Sequence, residues 1–337
     1  SLQQMFPEIH FSDIDAASVA VKDLLVHRSG IDNQALVWAT AFSGIHDAAS
    51  RHALVARSYP DAKTPLGSFQ YSNVGYNIVS VWLDKKLAQP WQRQLDERIF
   101  QPLQMTRTSA YISEAESRQW PLAKPYSFAS KFPNQALYLR KSDNTMQAAG
   151  GLVSTASDLS KFLITQLHDG KYRGKQIFPA ALIAQSHQPQ VTAEGSYLGF
   201  KREGYAWGWY TGEYKGKTML HHFGSFAGFH AHMSFIPEHN IGLVVLNNED
   251  VLSARLTNLI ADYAYGVMLD EPGIDAKTAT RFDEFLVQAN KIQSAMTKQR
   301  EVIERRDWKL SLARQSYVGK YTNDLLGDMQ VTLNDDG

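Results

Sequence analysis

The sequence predicts an α+β fold in which helices come first, an antiparallel sheet follows and a packing helix closes the unit. Three observations carry this expectation. Apolar residues recur at helical spacing after residue 73, as in Val74, Ile78, Val81, Trp82 and Leu83. Between 205 and 247 the period changes to two, with Phe229, Ala231, Met233 and Phe235 alternating with His230, His232 and Ser234. Residues 250–269 then return to an amphipathic helical pattern.

The elements follow in order. "VAVKDLLVHRSGID", from Val19, reads as a short helix through Leu24 and Leu25 that Gly30 ends, and residues 35–57 are mixed and helical. "TPLGSFQYSNVGYNIVS" (64–80) opens with turn residues and runs straight into a helix over 74–88, with Asn73 as a strong N-cap. "QRQLDERIFQPL" (92–103) is a further helix, closed by Pro102, and 120–147 is polar, aromatic and irregular. In "AAGGLVSTASDLSKFLITQL", Gly150-Gly151 punctuates the chain and a helix starts near Ser157, capped by Ser157 or Asp158. "YAWGWYTGE" and "KTMLHH" are strand-like and split by a turn near Lys215-Gly216. Tyr205, Trp207 and Trp209 share one strand face, as core residues or as the lining of an apolar pocket. "PEHN" turns the chain, and "IGLVVL" returns as a strand apolar enough to be buried on both faces.

The expected domains are 1–270, a charged linker helix over 271–310, and the start of a small β domain over 311–337, where "NDDG" is a hairpin turn signal. The dense charge run "KQREVIERRDWK" reads as a solvated face.

Composition narrows the function classes. Lys plus Arg is 34 and Asp plus Glu is 34 in 337 residues, so no excess of positive charge argues for nucleic acid or an anionic membrane as partner. There is no cysteine, which excludes disulfides, Cys-ligated zinc and thiol catalysis. No stretch approaches the roughly 18–20 apolar residues of a membrane span. The N-terminus has neither an initiator Met nor a basic region followed by an apolar one.

Two short elements carry chemistry. Tyr71-Ser72-Asn73 fits a helix-capping loop, and equally a set of polar groups held at a helix start. His222-Phe223-Gly224-Ser225 ends one strand-like run and precedes another. There a glycine permits close backbone approach, and the Ser225 N–H on a strand edge is a candidate oxyanion donor. "GSFAG" is not a nucleophile elbow, which needs G-x-S-x-G on a strand-to-helix turn. His221, His222, His230 and His232 raise zinc as an alternative, but no H-E-x-x-H occurs. His230 and His232 read instead as solvent-face strand residues.

Taken together, the two elements resemble the serine β-lactamase and penicillin-binding-protein superfamily, in its class C β-lactamase, esterase and D-aminopeptidase branch. That family brings together S-x-x-K, a Y-x-N (or S-x-N) triplet and K-T-G or H-x-G. Tyr71-Ser72-Asn73 matches the second, and His222-Phe223-Gly224, about 150 residues on, matches the third in its His form. "VKDLLVHRSGI", "AAGGLVSTASDLSKF" and "GFHAHMSFIPEHNIGLVVLNN" resemble the family's supporting segments, so the likeness runs over roughly residues 7–269.

The first motif is missing: no serine has a lysine three residues later, and only 18 residues precede the "VAVKDLLVHRSG" segment. The expectation is a C-terminal part of a normal enzyme, inactive as it stands; the alternative is a nucleophile-less binding or regulatory relative.

The resemblance implies a serine acyl hydrolase working through an acyl-enzyme. Tyr71 would be the general base, Asn73 would hydrogen-bond the substrate amide, Gly224 and Ser225 would bind the acyl group, and His222 would replace the usual lysine. A tyrosine with an ordinary pKa near 10 needs nearby positive charge to act as a base. His222, only partly charged at neutral pH, favours an ester, amide or D-amino-acid peptide over a β-lactam. The partner is thus a small acyl substrate, with no cofactor and no metal implied. Export to the periplasm or beyond follows from the resemblance alone.

Overall fold

The computed structural model describes residues 1–307 and 309–334; part of the "NDDG" turn signal therefore lies outside the described residues. Its centre is a six-stranded antiparallel meander: β1 (Val191–Tyr197), β2 (Phe200–Tyr205), β3 (Tyr210–Tyr214), β4 (Lys217–Phe226), β5 (Phe229–Ile236) and β6 (Ile241–Asn247). Neighbours in sequence are neighbours in the sheet throughout. β1 has too little apolar alternation to be legible from sequence: its residues are mostly exposed, and its pairing with β2 shifts register between Thr192 and Gly195.

Tight turns set the register. Lys215 and Gly216 both have positive φ (51° and 78°), the geometry of a two-residue hairpin matched to strand twist. β4 and β5 are joined by Ala227-Gly228, with Phe226 opposite Phe229. Gly228 has φ 79°, and a Cβ there would stand 2.3 Å from Pro125, so this corner accepts only glycine.

Helices cover both faces of the sheet. α2 (Ala156–Leu167) packs Phe162, Leu163 and Leu167 against Ala206, Trp209, Leu220, Met233 and Phe235. α3 (Ser253–Met268) packs Ala261 and Tyr265 against Phe200, Tyr214, Met219 and Ile236. This second cover overturns the expectation for His230 and His232: both are only 2% exposed, because the face they occupy lies under α3 rather than in solvent. Conversely, β6 is half-buried, since it forms one edge of the sheet.

A separate helical layer is built around α1 (Val74–Leu87), whose Val74, Ile78, Val79 and Val81 join Leu2, Phe6, Leu24, Leu36 and Leu54 in one core. Asn73 occupies the N-cap position of α1 but makes no capping bond. Ser72 does the work, its Oγ accepting from the Val74 N–H at 3.1 Å. Thr155, not Ser157 or Asp158, caps α2. Asp158 is 3% exposed and instead accepts from the Arg107 N–H (2.7 Å) and the Thr108 hydroxyl (3.0 Å). The helix expected over 92–103 is Trp91–Leu95 continued by a π-helical turn over Asp96–Phe100.

The charged segment forms α4 (Ile274–Glu304). It is tied to α3 by Asp262, which pairs with both Lys215 and Arg281. A hairpin, Gly319–Asn323 with Gly327–Val331, follows; the Leu325 carbonyl at its turn accepts from His46 Nε2 at 2.9 Å, so it docks back on the helical layer. Among the described residues no helix is long and apolar enough to cross a membrane.

Candidate active site

The site lies where the loop before α1 meets the ends of β2, β3 and β4. The loop is strapped to His27, two residues beyond the short helix Val21–Leu25. The Gln70 N–H donates to the His27 carbonyl at 2.8 Å, and the Ser72 N–H donates to His27 Nδ1 at 3.3 Å. Gly75 lets α1 approach this segment, since a Cβ there would sit 2.1 Å from the Leu24 carbonyl oxygen. These contacts fix Tyr71, whose ring lies 4.3 Å from that of His27 and 5.8 Å from that of His222. The two motifs, 149 positions apart counting from Asn73 to His222, therefore meet in space.

β4 supplies the other wall. It pairs with β3 only as far as His221, and from His222 onward it pairs with β5 alone. In a two-residue hairpin the residues flanking the turn exchange both hydrogen bonds. Alternation from Phe226 and Phe229 then turns the N–H and C=O of Phe223 and Ser225 away from β5, toward the open edge. An oxyanion donor at the Ser225 N–H fits this geometry. Nothing lies within 4 Å of where a Gly224 Cβ would stand, so the strand is open there. The Ser225 hydroxyl is held back by His230, with Oγ 2.8 Å from Nδ1.

Sequence reasoning did not single out His27 as a functional residue, and it left Tyr205 between core and pocket wall. Tyr205 is 1% exposed and reaches both histidines: its hydroxyl is 3.1 Å from His27 Nε2 and 3.3 Å from His222 Nε2. His27 had a weak signal, a histidine ending an apolar helical run; the signal for Tyr205 was its place in an aromatic, strand-like run. The expected strand face of Tyr205, Trp207 and Trp209 does not exist. β2 ends at Tyr205, and Ala206–Trp209 is a connection whose Gly208 has φ 86°. Trp209 goes to the core under α2 and Tyr205 goes to the site.

Arg202 is the second residue that the sequence hid. Its guanidinium lies 3.5 Å over the Tyr210 ring and 4.7 Å from that of Phe223. Two of its nitrogens, Nε and Nη2, are buried without a hydrogen-bond partner. Contact with aromatic faces offsets part of that cost.

Burial dominates the electrostatics. It pushes His222 down to about 4, with the Arg202 cation acting in the same direction. It also brings His27 to about 4, His222 adding to the effect. His222 is therefore neutral at pH 7, which corrects the expected partial charge. Tyr71 is 41% exposed, yet the groups crowded around its inner side hold it above the ordinary tyrosine range, first by desolvation and then through Tyr210 and Tyr76, while Arg202 opposes them. The positive charge that a tyrosine base requires is thus only weakly supplied by the residues around it.

The remaining histidines serve the sheet. His232 Nε2 is 2.7 Å from the Ser234 hydroxyl, which in turn meets the Tyr265 hydroxyl at 2.8 Å. His221 is fully buried with both ring nitrogens unpartnered. Among the described residues no three His, Asp or Glu side chains converge as ligands of one metal ion would.

A tyrosine–asparagine loop at a helix start, beside a strand that carries His-x-Gly at its open edge, has the layout expected of the serine β-lactamase and penicillin-binding-protein superfamily. The chain belongs to the beta-lactamase family, whose sequence model matches residues 4–264. It is similar to the octameric penicillin-binding protein homologue of Pyrococcus abyssi, with 22% identity and a TM-score of 0.65 over 80% of this chain and 60% of that one. It is also similar to the D-amino acid amidase of Ochrobactrum anthropi SV3 complexed with D-phenylalanine, with 23% identity and a TM-score of 0.57 over 74% and 76%. Among curated proteins it resembles an unguisins hydrolase of Aspergillus campestris, 25% identical over 69% of this chain and 43% of that protein. The chain spans less than half the length of that relative.

Proposed function

We propose that these residues form the base and oxyanion side of a serine acyl hydrolase that opens amides or esters through an acyl-enzyme. Amide substrates containing D-amino acids are the preferred class. The observation that carries the reading is the meeting of Tyr71 and His222, rings 5.8 Å apart, beside the open edge of β4 at Ser225. Tyr71 would pass the proton between nucleophile and leaving group, Asn73 would hold the substrate amide, and the Ser225 N–H would stabilise the oxyanion.

Two observations favour amides or peptides over β-lactams. A neutral His222 offers a substrate carboxylate no ion pair, unlike a lysine in its place. The amidase and the unguisins hydrolase supply the substrate class by likeness. The 337 residues contain no S-x-x-K, so on this reading the serine, and the lysine whose charge would lower the Tyr71 pKa, come from residues outside them. Export from the cytoplasm is part of the same proposal.

The test is acylation of the protein translated with its upstream coding sequence, using a fluorophosphonate probe and a D-phenylalanine amide substrate. Labelling should vanish when the motif serine is replaced and slow by about a hundredfold or more in Tyr71→Phe, the scale of a general base. Full-rate labelling of Tyr71→Phe would overturn the assignment. An upstream sequence with no S-x-x-K would leave a binding relative instead.

A further inference from the structure

We propose that Trp38, Phe42 and Phe226 form the subsite that selects the acyl residue of the substrate, taking an aromatic or large apolar side chain and refusing a cationic one. This deepens the acyl-hydrolase reading and rests on it.

The helix Gln34–Phe42 buries Leu36, Thr40 and Ala41, yet its other side is not polar throughout. Gln34, Trp38 and Phe42 recur every four residues and so share one face. Trp38 is 60% exposed and Phe42 43%. The Trp38 indole N–H donates to Gln34 Oε1 at 2.9 Å, which holds the ring in place. Gln34 in turn lines one recess together with His27, Tyr71 and Ser72. From Trp38 the rings run on to the strand: Trp38 stacks on Phe42 with centroids 5.5 Å apart, and Phe42 stacks on Phe226 at 5.5 Å. Contiguous apolar rings left open to solvent beside a polar recess mark a binding surface.

Two features name the occupant. Alternate residues of a strand share a face, so His222, Gly224 and Phe226 stand in a row about 13 Å long. Nothing lies within 4 Å of where a Gly224 Cβ would stand. The gap therefore separates the end where Tyr71 meets His222 from the wall made by Phe226 and Phe42. An acyl carbonyl bound at the Ser225 N–H sits beside this gap, and its side chain has an aromatic wall to lie against. The second feature is Lys141, whose ammonium lies 5.7 Å from the Phe226 ring centroid and donates to the Gly150 carbonyl at 2.5 Å. Burial lowers it to about 8, which leaves it mostly charged at pH 7. A cation held against the wall repels an ammonium or guanidinium side chain.

The test compares D-phenylalanine amide, D-alanine amide and D-lysine amide as substrates of the protein translated with its upstream coding sequence. D-phenylalanine amide should exceed D-alanine amide by at least about tenfold in kcat/KM, the scale of apolar side-chain selection. Phe42→Ala should erase most of that preference, chiefly through KM. Trp38→Ala, at the more exposed ring, should lower the same ratio and serves if Phe42→Ala does not fold. Trp38 also gives a readout that needs no turnover. D-phenylalanine amide should change the indole fluorescence of the protein whose motif serine is replaced, and Trp38→Phe should lose that change. Equal kcat/KM for the phenylalanine and alanine amides, or a preference untouched by both alanine variants, overturns the subsite while the acyl-hydrolase reading stands. D-lysine amide turned over as fast as D-phenylalanine amide overturns it too. A Trp38-dependent fluorescence change in a protein that hydrolyses no amide supports the subsite and overturns the reading beneath it; absence of both overturns both.

Discussion

His27 and Tyr205 stand 178 positions apart in the chain, yet the His27 Nε2 lies 3.1 Å from the Tyr205 hydroxyl, with both side chains almost fully buried. This contact holds the helical layer against the sheet at the candidate site. It is also where the helical core and the sheet become one energetic unit, so disturbances on either side should reach the site.

Acid should loosen this unit. The folded-state pKa values of His27, His222 and His232 are each depressed to about 4, chiefly by burial, against 6.5 for a free side chain. An unfolded chain therefore binds more protons than the folded one between those values. The stability owed to neutral, buried histidines is fully present above pH 6.5 and is lost as pH falls toward 4. Thermal unfolding followed by circular dichroism should show Tm lower by at least about 5 °C at pH 5 than at pH 7.5. A flat profile across that window would contradict the burial described.

Arg202 depresses His222 by like charge and lowers Tyr71 by opposite charge. Arg202→Met keeps the stem and removes the cation. Both pKa values should then rise, His222 staying below its free value because burial is the larger cause. Titration of the His222 ring by NMR checks the sign.

Gly75→Ala places a methyl 2.1 Å from the Leu24 carbonyl oxygen, which is backbone and cannot turn aside. The helix must move away from the Val21–Leu25 segment, at a cost of about 1–3 kcal/mol in urea unfolding. The Ser72–His27 hydrogen bond should open with it, visible as faster exchange of the Ser72 amide.

Arg51 is 2% exposed and paired with Asp84 at 2.5 Å, and Asp84 also accepts from the Trp91 N–H at 2.6 Å. Asp84→Ala strands a buried guanidinium and should cost about 3–5 kcal/mol. Arg51→Met/Asp84→Leu should be less damaging than the single change, because no buried charge is left unpaired. Denaturant melts of the three proteins decide this.

Gly228→Ala meets both a positive φ and Pro125. It should destabilise by more than about 1 kcal/mol and disturb the β4–β5 turn that aims the Ser225 N–H. Labelling of the complete protein should fall even where the fold survives at low temperature.

Much of this molecule was legible in the sequence because its signals are local. A period of two marked β3 to β6, a period near four marked α1 to α3, and turn residues marked Lys215-Gly216. The motif residues Tyr71, Asn73, His222, Gly224 and Ser225 stood out by residue type and order, and their placement at a helix start and a strand edge followed from the same patterns. Other features belong to no local window. Whether His230 faces water or protein depends on α3 crossing that face, and alternation along β5 only separates its two faces. The neutrality of His222 is a desolvation effect summed over residues from β2, β3 and the α1 loop. The bond from His27 to Tyr205 joins segments that share no pattern. Periodicity determined which elements form; their packing decided which polar groups lose water and which find one another.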